Sequence, residues 1–351
     1  MKRAQLIARA VGHTMFEPTT LQQALGRLGF VQADPIRAPA RAQDLILRQR
    51  VIDYRAGALA RAYPTLQLEE EYLYAYGFMQ RPLAALLHPR TIVGRLSALD
   101  KKVLERVRER GTVHPRDLDA HVGRKRVLNA WGGYSQASKR ALERLHHRGL
   151  LRVARREQGV RVYQLVQPVA QELSADERLR KLAMVVANVL SPVAESTLLS
   201  ITSRLRRWFP KAAGARAQLA HLLSRGELAR DELDGVKYLW PADSIEFADP
   251  ERRVRLLAPF DPLVWDRARF EQLWGWAYRF EAYTPLAKRV RGYYALPLLW
   301  RESVVGWANA SMASGALEVQ LGFVKARPRE RDFSTALEAE IESLRAFLGP
   351  A

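Results

Sequence analysis

The sequence predicts an α+β protein with tandem winged-helix domains between a helical N-terminal domain and a β-rich C-terminal one. Three observations predict it. Apolar residues at helical spacing dominate residues 1–96. An order of helices followed by a two-strand hairpin occupies 97–168 and returns over 174–247. Arg148-Gly149-Leu150-Leu151 recurs as Arg225-Gly226-Glu227-Leu228, and the hairpin glycine Gly159 recurs as Gly235. From residue 252 to about 330 the pattern alternates with the period of strands, and 252–351 closes on an amphipathic helix.

In the first domain, Met1–Val11 is a basic amphipathic helix, and Thr19–Leu28 is a second, with Thr19 or Thr20 as its cap and Gly29 as its stop. Phe30 and Val31 make a short buried strand. Asp34-Pro35 is a turn signal, because the residue before proline is pushed out of the helical region. Gln32 and Asp34 stand two apart on extended chain and so point to one face. Taken alone, an Asp before Pro is most often a turn former or cap. The same pair beside Arg37, Arg41, Arg48 and Arg50 also suits a site that positions water near a polyanion. Leu45–Val51 reads as a strand, and the aromatic run Glu69–Met79 as a packing face.

In the second domain, Leu99–Arg110 and His114–Val122 are helices separated by the turn Gly111-Thr112. Ser135–Arg148 is the third, capped by Ser135 or Ser138 and stopped at Gly149. Strands Leu150–Arg156 and Val160–Val166 then form a wing around Glu157-Gln158-Gly159. Residues 97–167 hold 17 Lys/Arg against 7 Asp/Glu, more than half of the chain's excess positive charge. Lys139, Arg140 and Arg144 fall on the third helix and Arg152, Arg155, Arg156 and Arg161 on the wing; all but Arg152 are candidates for nucleic-acid phosphates.

The third domain repeats this plan with helix Arg216–Ser224 and strands Glu227–Asp231 and Val236–Trp240. Its wing, Glu232-Leu233-Asp234-Gly235, is acidic and suits packing rather than phosphate binding. Linkers are expected at Val166–Asp176, around Pro168, and at Pro241–Arg253. In the last domain, Val254–Leu257, Arg291–Leu299, Ser303–Met312 and Ala316–Phe323 are strands, Arg267–Tyr278 is a helical interruption, and Ser334–Leu348 is the final helix. Five of the eight tryptophans lie between Asp261 and Trp307, most of them as core.

The 351 residues are 48% hydrophobic, enough for several buried cores, and carry a formal net charge of +19. Such an excess marks a nucleic-acid binder or, less often, a membrane-surface protein. No apolar run approaches the roughly 18 residues of a membrane span, and MKRAQLIARAVG is too polar for a signal peptide. Zero cysteines exclude disulfides, zinc-thiolate and iron–sulfur sites, and the seven scattered histidines argue against a metal. There is no P-loop, nucleophile elbow or Rossmann fingerprint. A cytoplasmic, nucleoid-associated monomer without cofactor or metal is expected.

The pattern Gln32-x-Asp34-x-Ile36-x3-Ala40-Arg41-x3-Leu45-x-Leu47-x2-Arg50-x3-Tyr54 resembles the catalytic segment of the AlkZ/YcaQ (AlkX) family of bacterial DNA glycosylases, on the YcaQ-like branch with Gln-x-Asp. Leu257-Ala-Pro-Phe-Asp-Pro-Leu-Val-Trp-Asp266, then Tyr278–Arg289, then Gly292-Tyr-Tyr-Ala-Leu-Pro297 resemble the same family, in the same order. The resemblance implies a small barrel-like C-terminal domain. It also implies a monofunctional, metal-independent glycosylase acting on damaged double-stranded DNA, on bulky N7-alkylguanines and on interstrand crosslinks. Arg41, Arg50, Lys288 and Arg289 match the family and are phosphate candidates with Arg37. Arg41 and Arg50 could equally pair with Asp44, Asp53 or Glu69–Glu71. The branch's His-Glu-Ala-containing motif is missing here; Tyr74 or Tyr76 occupies that region as a lesion-pocket candidate.

On this reading Asp34 stabilises an oxocarbenium-like sugar and takes a proton from the attacking water, while Gln32 orients it. Neighbouring arginines are expected to lower the Asp34 pKa and keep it ionised. If roughly six to ten cations contact phosphates, affinity falls about three to five decades between 50 and 200 mM salt. The alternative is a non-catalytic winged-helix regulator or architectural protein, which would bind one undamaged sequence tightly and release no base.

Overall fold

The computed structural model describes residues 1–349 except 89, 91–93, 124–125, 129–133, 168–171, 245–251 and 314. The linker proline Pro168 and most of the linker expected at Pro241–Arg253 lie outside the described residues. Helices α1 (Arg3–Thr14) and α2 (Leu21–Leu28) open the chain. Thr20 caps α2 by accepting from the Gln23 N–H, and Gly29, at φ +75°, ends it. The chain turns into β1 (Phe30–Gln32), then α3 (Ala42–Leu47) and α4 (Ala58–Ala62), then the hairpin β2 (Leu68–Tyr72) and β3 (Tyr76–Gln80), and α5 (Arg81–Ala85). β3 lies between β1 and β2 in an antiparallel sheet, with Gln32 opposite Gly77. Gly77 has to be glycine: a Cβ there would sit 2.3 Å from the Val31 carbonyl oxygen.

The strand expected over Leu45–Val51 is a correction, since Ala42–Leu47 is helical. All six of its residues are buried. A short apolar run buried all round carries no period that separates strand from helix.

Two runs of like order follow. The first is α6 (Ala98–Arg110), β4 (Thr112–Val113), α7 (Pro115–Val122), a small ladder of β5 (Arg126–Leu128) and β6 (Tyr134–Gln136), α8 (Ala137–His147), and the hairpin β7 (Leu151–Glu157) and β8 (Val160–Leu165). The second is α9 (Ala175–Val189), β9 (Val193–Ala194), α10 (Glu195–Leu205), α11 (Ala215–Ser224), and the hairpin β10 (Leu228–Leu233) and β11 (Val236–Pro241). In each, the short strand pairs with the second hairpin strand, β4 with β8 and β9 with β11. Each hairpin turns over two residues at positive φ, Gln158-Gly159 and Asp234-Gly235. Ser97 caps α6 and Ser174 caps α9 by capping boxes. The cap position of α8 is Gln136, without a side-chain cap bond, and neither Ser135 nor Ser138.

The last part of the chain holds β12 (Val254–Leu256), α12 (Pro262–Trp265), α13 (Arg267–Trp274), β13 (Leu296–Trp300), β14 (Ser303–Ala313), β15 (Ala316–Phe323) and α14 (Arg331–Leu348). Its strands form one open antiparallel sheet in sequence order, and no closed barrel occurs among the described residues. The strand expected from Arg291 begins only at Leu296, because Glu281 takes the backbone N–H groups of 290, 291 and 292 out of any ladder. No helix among the described residues is long and apolar enough to cross a membrane.

The N-terminal segment binds the pieces together. One apolar core joins Val31, Leu45–Leu47, Val103, Leu142, Leu298 and Phe347, and another joins Phe30 and Met79 to α9–α11.

Candidate active site

The stretch from Gln32 to Arg50 is held at both ends. At its start, the Ala33 N–H donates to the Tyr76 carbonyl at 2.9 Å, so the chain stays extended beyond β1 and presents Gln32 and Asp34 to one side. The Asp34 N–H donates to Gln43 Oε1 on α3 at 3.3 Å. Asp34 Oδ1 accepts the Ile36 N–H at 2.9 Å across Pro35, forming the turn that its position before proline suggests. Oδ2 accepts nothing from the described residues, and the side chain is half-buried. Gln32 Oε1 is buried without a hydrogen-bond partner.

At its far end, Arg50 is fully buried. Its guanidinium donates to Asp261 Oδ2 at 2.9 Å and Oδ1 at 3.1 Å, to the Thr14 carbonyl at 2.7 Å and to the Ile46 carbonyl at 2.8 Å. The expected phosphate contact of Arg50 is therefore a correction: no solvent or ligand reaches it. Its partner belongs to the distant stretch Leu257–Asp266, so the two most recognisable segments of the sequence meet at one buried ion pair. Glu340 of α14 reinforces this, accepting from Arg48, from Gln49 and from the Leu256 N–H. Asp44 is occupied by the Tyr54 hydroxyl and the Gly57 N–H rather than by an arginine.

The Asp34 pKa runs opposite to expectation. Burial raises it above the ordinary carboxylate range, the Ile36 N–H lowers it only in part, and no arginine charge contributes. The cations nearby in sequence are turned elsewhere. Arg41 stands against the hairpin turn, where a Cβ on Gly159 would meet its guanidinium at 3.1 Å, and burial followed by the Arg37 and Arg156 charges lowers its pKa.

One residue that sequence reasoning passed over belongs here. The Tyr294 hydroxyl is buried and without a hydrogen-bond partner. Burial first, then the Asp34 charge, raises its pKa, so it stays protonated and can donate. The motif Gly292-Tyr-Tyr-Ala-Leu-Pro297 held the signal, but two adjacent tyrosines point to opposite sides and the sequence does not say which turns inward.

The wing cations are largely engaged within the protein. Arg156 donates to both oxygens of the fully buried Glu70, at 2.7 and 2.5 Å, and Arg161 approaches the same carboxylate at 3.4 Å while stacking 4.3 Å over the Tyr76 ring. Arg152 binds Glu69 at 2.8 Å, and Arg155 binds Glu157 on its own hairpin. Arg144 binds Asp100. Arg144, Arg152, Arg155, Arg156 and Arg161 thus each already have a carboxylate partner, with which a phosphate would compete. Arg37, Lys139 and Lys288 are exposed and unpaired among the described residues. Arg140 is half-exposed on α8, and Arg289 is tied to the Thr284 carbonyl and lies over the Tyr293 ring.

Tyr74 and Tyr76 are also committed. The Tyr76 hydroxyl donates to Glu70 at 2.5 Å, and the Tyr74 ring is wedged between Phe30 and Trp265. A cleft of about 490 Å³ lies elsewhere, between Arg48–Arg55, Arg252–Arg255 and α14, and includes neither Gln32 nor Asp34. Among the described residues no group of three or more His, Asp or Glu could hold a metal ion.

A sequence profile described as "DNA glycosylase AlkZ-like" matches residues 25–347. Among solved structures, the fold is similar to the DNA glycosylase AlkZ of Streptomyces sahachiroi, with a TM-score of 0.63 at 15% identity. The match covers 99% of this chain and 97% of that one.

Proposed function

From the premise that the chain belongs to the AlkZ-like family of DNA glycosylases, we propose that it hydrolyses the N-glycosidic bond of N7-alkylguanine in duplex DNA, including one arm of interstrand crosslinks. The observation that carries this reading is the half-buried Asp34 carboxylate, with one oxygen engaged in its turn and the other without a partner among the described residues, two residues from the unpartnered Gln32 amide oxygen.

N7-alkylation puts positive charge on the base, so the C1′–N9 bond breaks with its electron pair going to the purine, which leaves neutral. Asp34 stabilises the cationic sugar and accepts the proton of the water that adds to C1′. Gln32 Oε1 accepts from that water, and the Tyr294 hydroxyl donates to it; both act by positioning. No metal or cofactor takes part in this scheme. The two repeated helix–hairpin runs, 97–168 and 174–247, are read as winged-helix domains flanked by 1–96 and 252–351, in a protein that acts as a monomer. An open groove suits a crosslinked base, which cannot swing fully into a closed pocket. The phosphate contacts fall to Arg37, Lys139, Lys288, Arg289 and Arg140.

Asp34→Asn should retain DNA affinity while release of N7-methylguanine falls by about two to four decades, the usual span of general-base help. The raised Asp34 pKa sets the sign of the pH dependence: the ionised base is lost as pH falls, from a point above the ordinary value of about 3.9. An acid limb in the wild-type rate that disappears in Asp34→Asn supports the role, and undiminished release by the variant removes it. Tyr294→Phe should slow release by about two- to tenfold, the worth of one neutral hydrogen bond.

A further inference from the structure

We infer that the loop 283–293 is a preformed apolar wedge that enters the DNA base stack beside the reacting nucleotide; the inference rests on the glycosylase reading of the Asp34 site. Eight large hydrophobic side chains are exposed among the described residues, and four of them lie in this loop: Tyr283 (81%), Leu286 (78%), Val290 (77%) and Tyr293 (43%). The three most exposed of all are among these four. Solitary exposed apolar residues need no explanation, whereas a cluster on one loop marks a contact surface.

The loop is rigid. Glu281, itself buried, accepts the N–H groups of Val290, Arg291 and Gly292 at 3.0, 2.8 and 3.2 Å. The Lys288 N–H returns to the Pro285 carbonyl, Arg289 Nε donates to the Thr284 carbonyl, and Asn309 Nδ2 donates to the Arg291 carbonyl. A Cβ at Gly292 would fall 2.3 Å from Asn309, and φ there is +117°. Apolar side chains on a braced loop lose little conformational freedom on insertion.

Position and charge select the occupant. The Tyr283 ring packs on Phe280, Phe280 packs on Tyr294, and Phe280 and Tyr294 both belong to the apolar cluster that includes Val31, Ala33 and Ile36 around Asp34, so the loop borders the site. Lys288, Arg289 and Arg291 interleave with the apolar residues, the combination that holds a phosphate backbone while Leu or Val enters between base steps. Unstacking one step beside the lesion would expose the sugar C1′ to Asp34 without a closed pocket.

The test uses the full chain and a duplex with 2-aminopurine next to an abasic analogue, which gives a readout independent of catalysis. Leu286→Ser with Val290→Ser alters two exposed positions and should leave the melting temperature, the affinity for undamaged duplex and its salt slope unchanged. Wild type and Asp34→Asn should both raise the 2-aminopurine fluorescence on binding, and the double variant should not. Its release of N7-methylguanine should fall about ten- to a hundredfold, the worth of one unstacked step. Equal unstacking by the double variant, or no unstacking by wild type, overturns the wedge. It is equally overturned if the double substitution abolishes binding to anionic phospholipid vesicles, or self-association in sedimentation, while unstacking persists. Unstacking by a wild-type protein that releases no alkylated base would keep the wedge and reject the proposed activity.

Discussion

The two hairpins β7–β8 and β10–β11 share a plan and differ in how they are held. The first is basic and meets acid: Arg152, Arg156 and Arg161 close on Glu69 and Glu70, with Glu70 at 0% exposure. The second is acidic and meets base: the Met1 ammonium binds Asp231 at 3.0 Å, partly covered, and Arg3 binds Asp234 at 2.7 Å in the open. In each case the N-terminal domain supplies the opposite charge. A hairpin's charge therefore reports first on what it docks against and only afterwards on what it could bind. The burial of the contact separates the two, because desolvated pairs are costly to break and exposed ones are worth little.

That contrast can be broken by measurement, beginning where the effect is largest. Glu70→Gln leaves Arg156 and Arg161 facing a buried neutral group, and urea unfolding should show a loss of about 3–5 kcal/mol. A loss below about 1 kcal/mol would mean the basic hairpin is free after all.

Acid should act next. Glu71 is bound by His88 at 2.6 Å and Arg90 at 2.8 Å; burial alone would raise it, but these partners prevail and bring it to about 2. Glu70 is likewise held below its ordinary range by Arg156 and Arg161 despite burial. A carboxyl depressed by folding stabilises above its unfolded pKa and ceases to do so as pH falls through its folded one. For Glu71 this is about 3 kcal/mol, lost between roughly pH 4.5 and 2. Thermal melts that are flat across that window would contradict the buried pairing.

The exposed side should respond least. Asp234→Ala is expected to cost under about 1 kcal/mol, a difference that salt erases. Lys139→Ala should leave stability alone and flatten the slope of log affinity against log salt by about 0.9, one phosphate's share.

Much of the architecture was legible because it depends on local chemistry. The stops at Gly29, Gly111 and Gly149, the Thr20 cap, and the turns at Gly159 and Gly235 are read from neighbouring residues, and so are the strands they bound. Gln32 and Asp34 were marked by the family resemblance, since on local chemistry alone an Asp before Pro reads as a turn. What escaped was set by partners far along the chain. Arg50 looks like any exposed cation until Asp261, 211 residues away, is beside it. The wing arginines are distinguished only by a hairpin more than 80 residues earlier. The Asp34 pKa had the wrong sign because sequence proximity to Arg37 and Arg41 was taken for spatial proximity, and burial outweighs both. Leu45–Val51 reads as a strand because the run it shares with the helix Ala42–Leu47 is buried on every side and has no period to read.

The Arg50–Asp261 bond also has a consequence for synthesis. Ribosomes deliver the segment bearing Asp34 some two hundred residues before the aspartate that neutralises its anchor. Until that aspartate emerges, the Arg50 guanidinium has its Thr14 and Ile46 carbonyl partners but not its counter-ion. A chain terminated before Asp261 therefore lacks the anchor that holds the far end of the Gln32–Arg50 stretch.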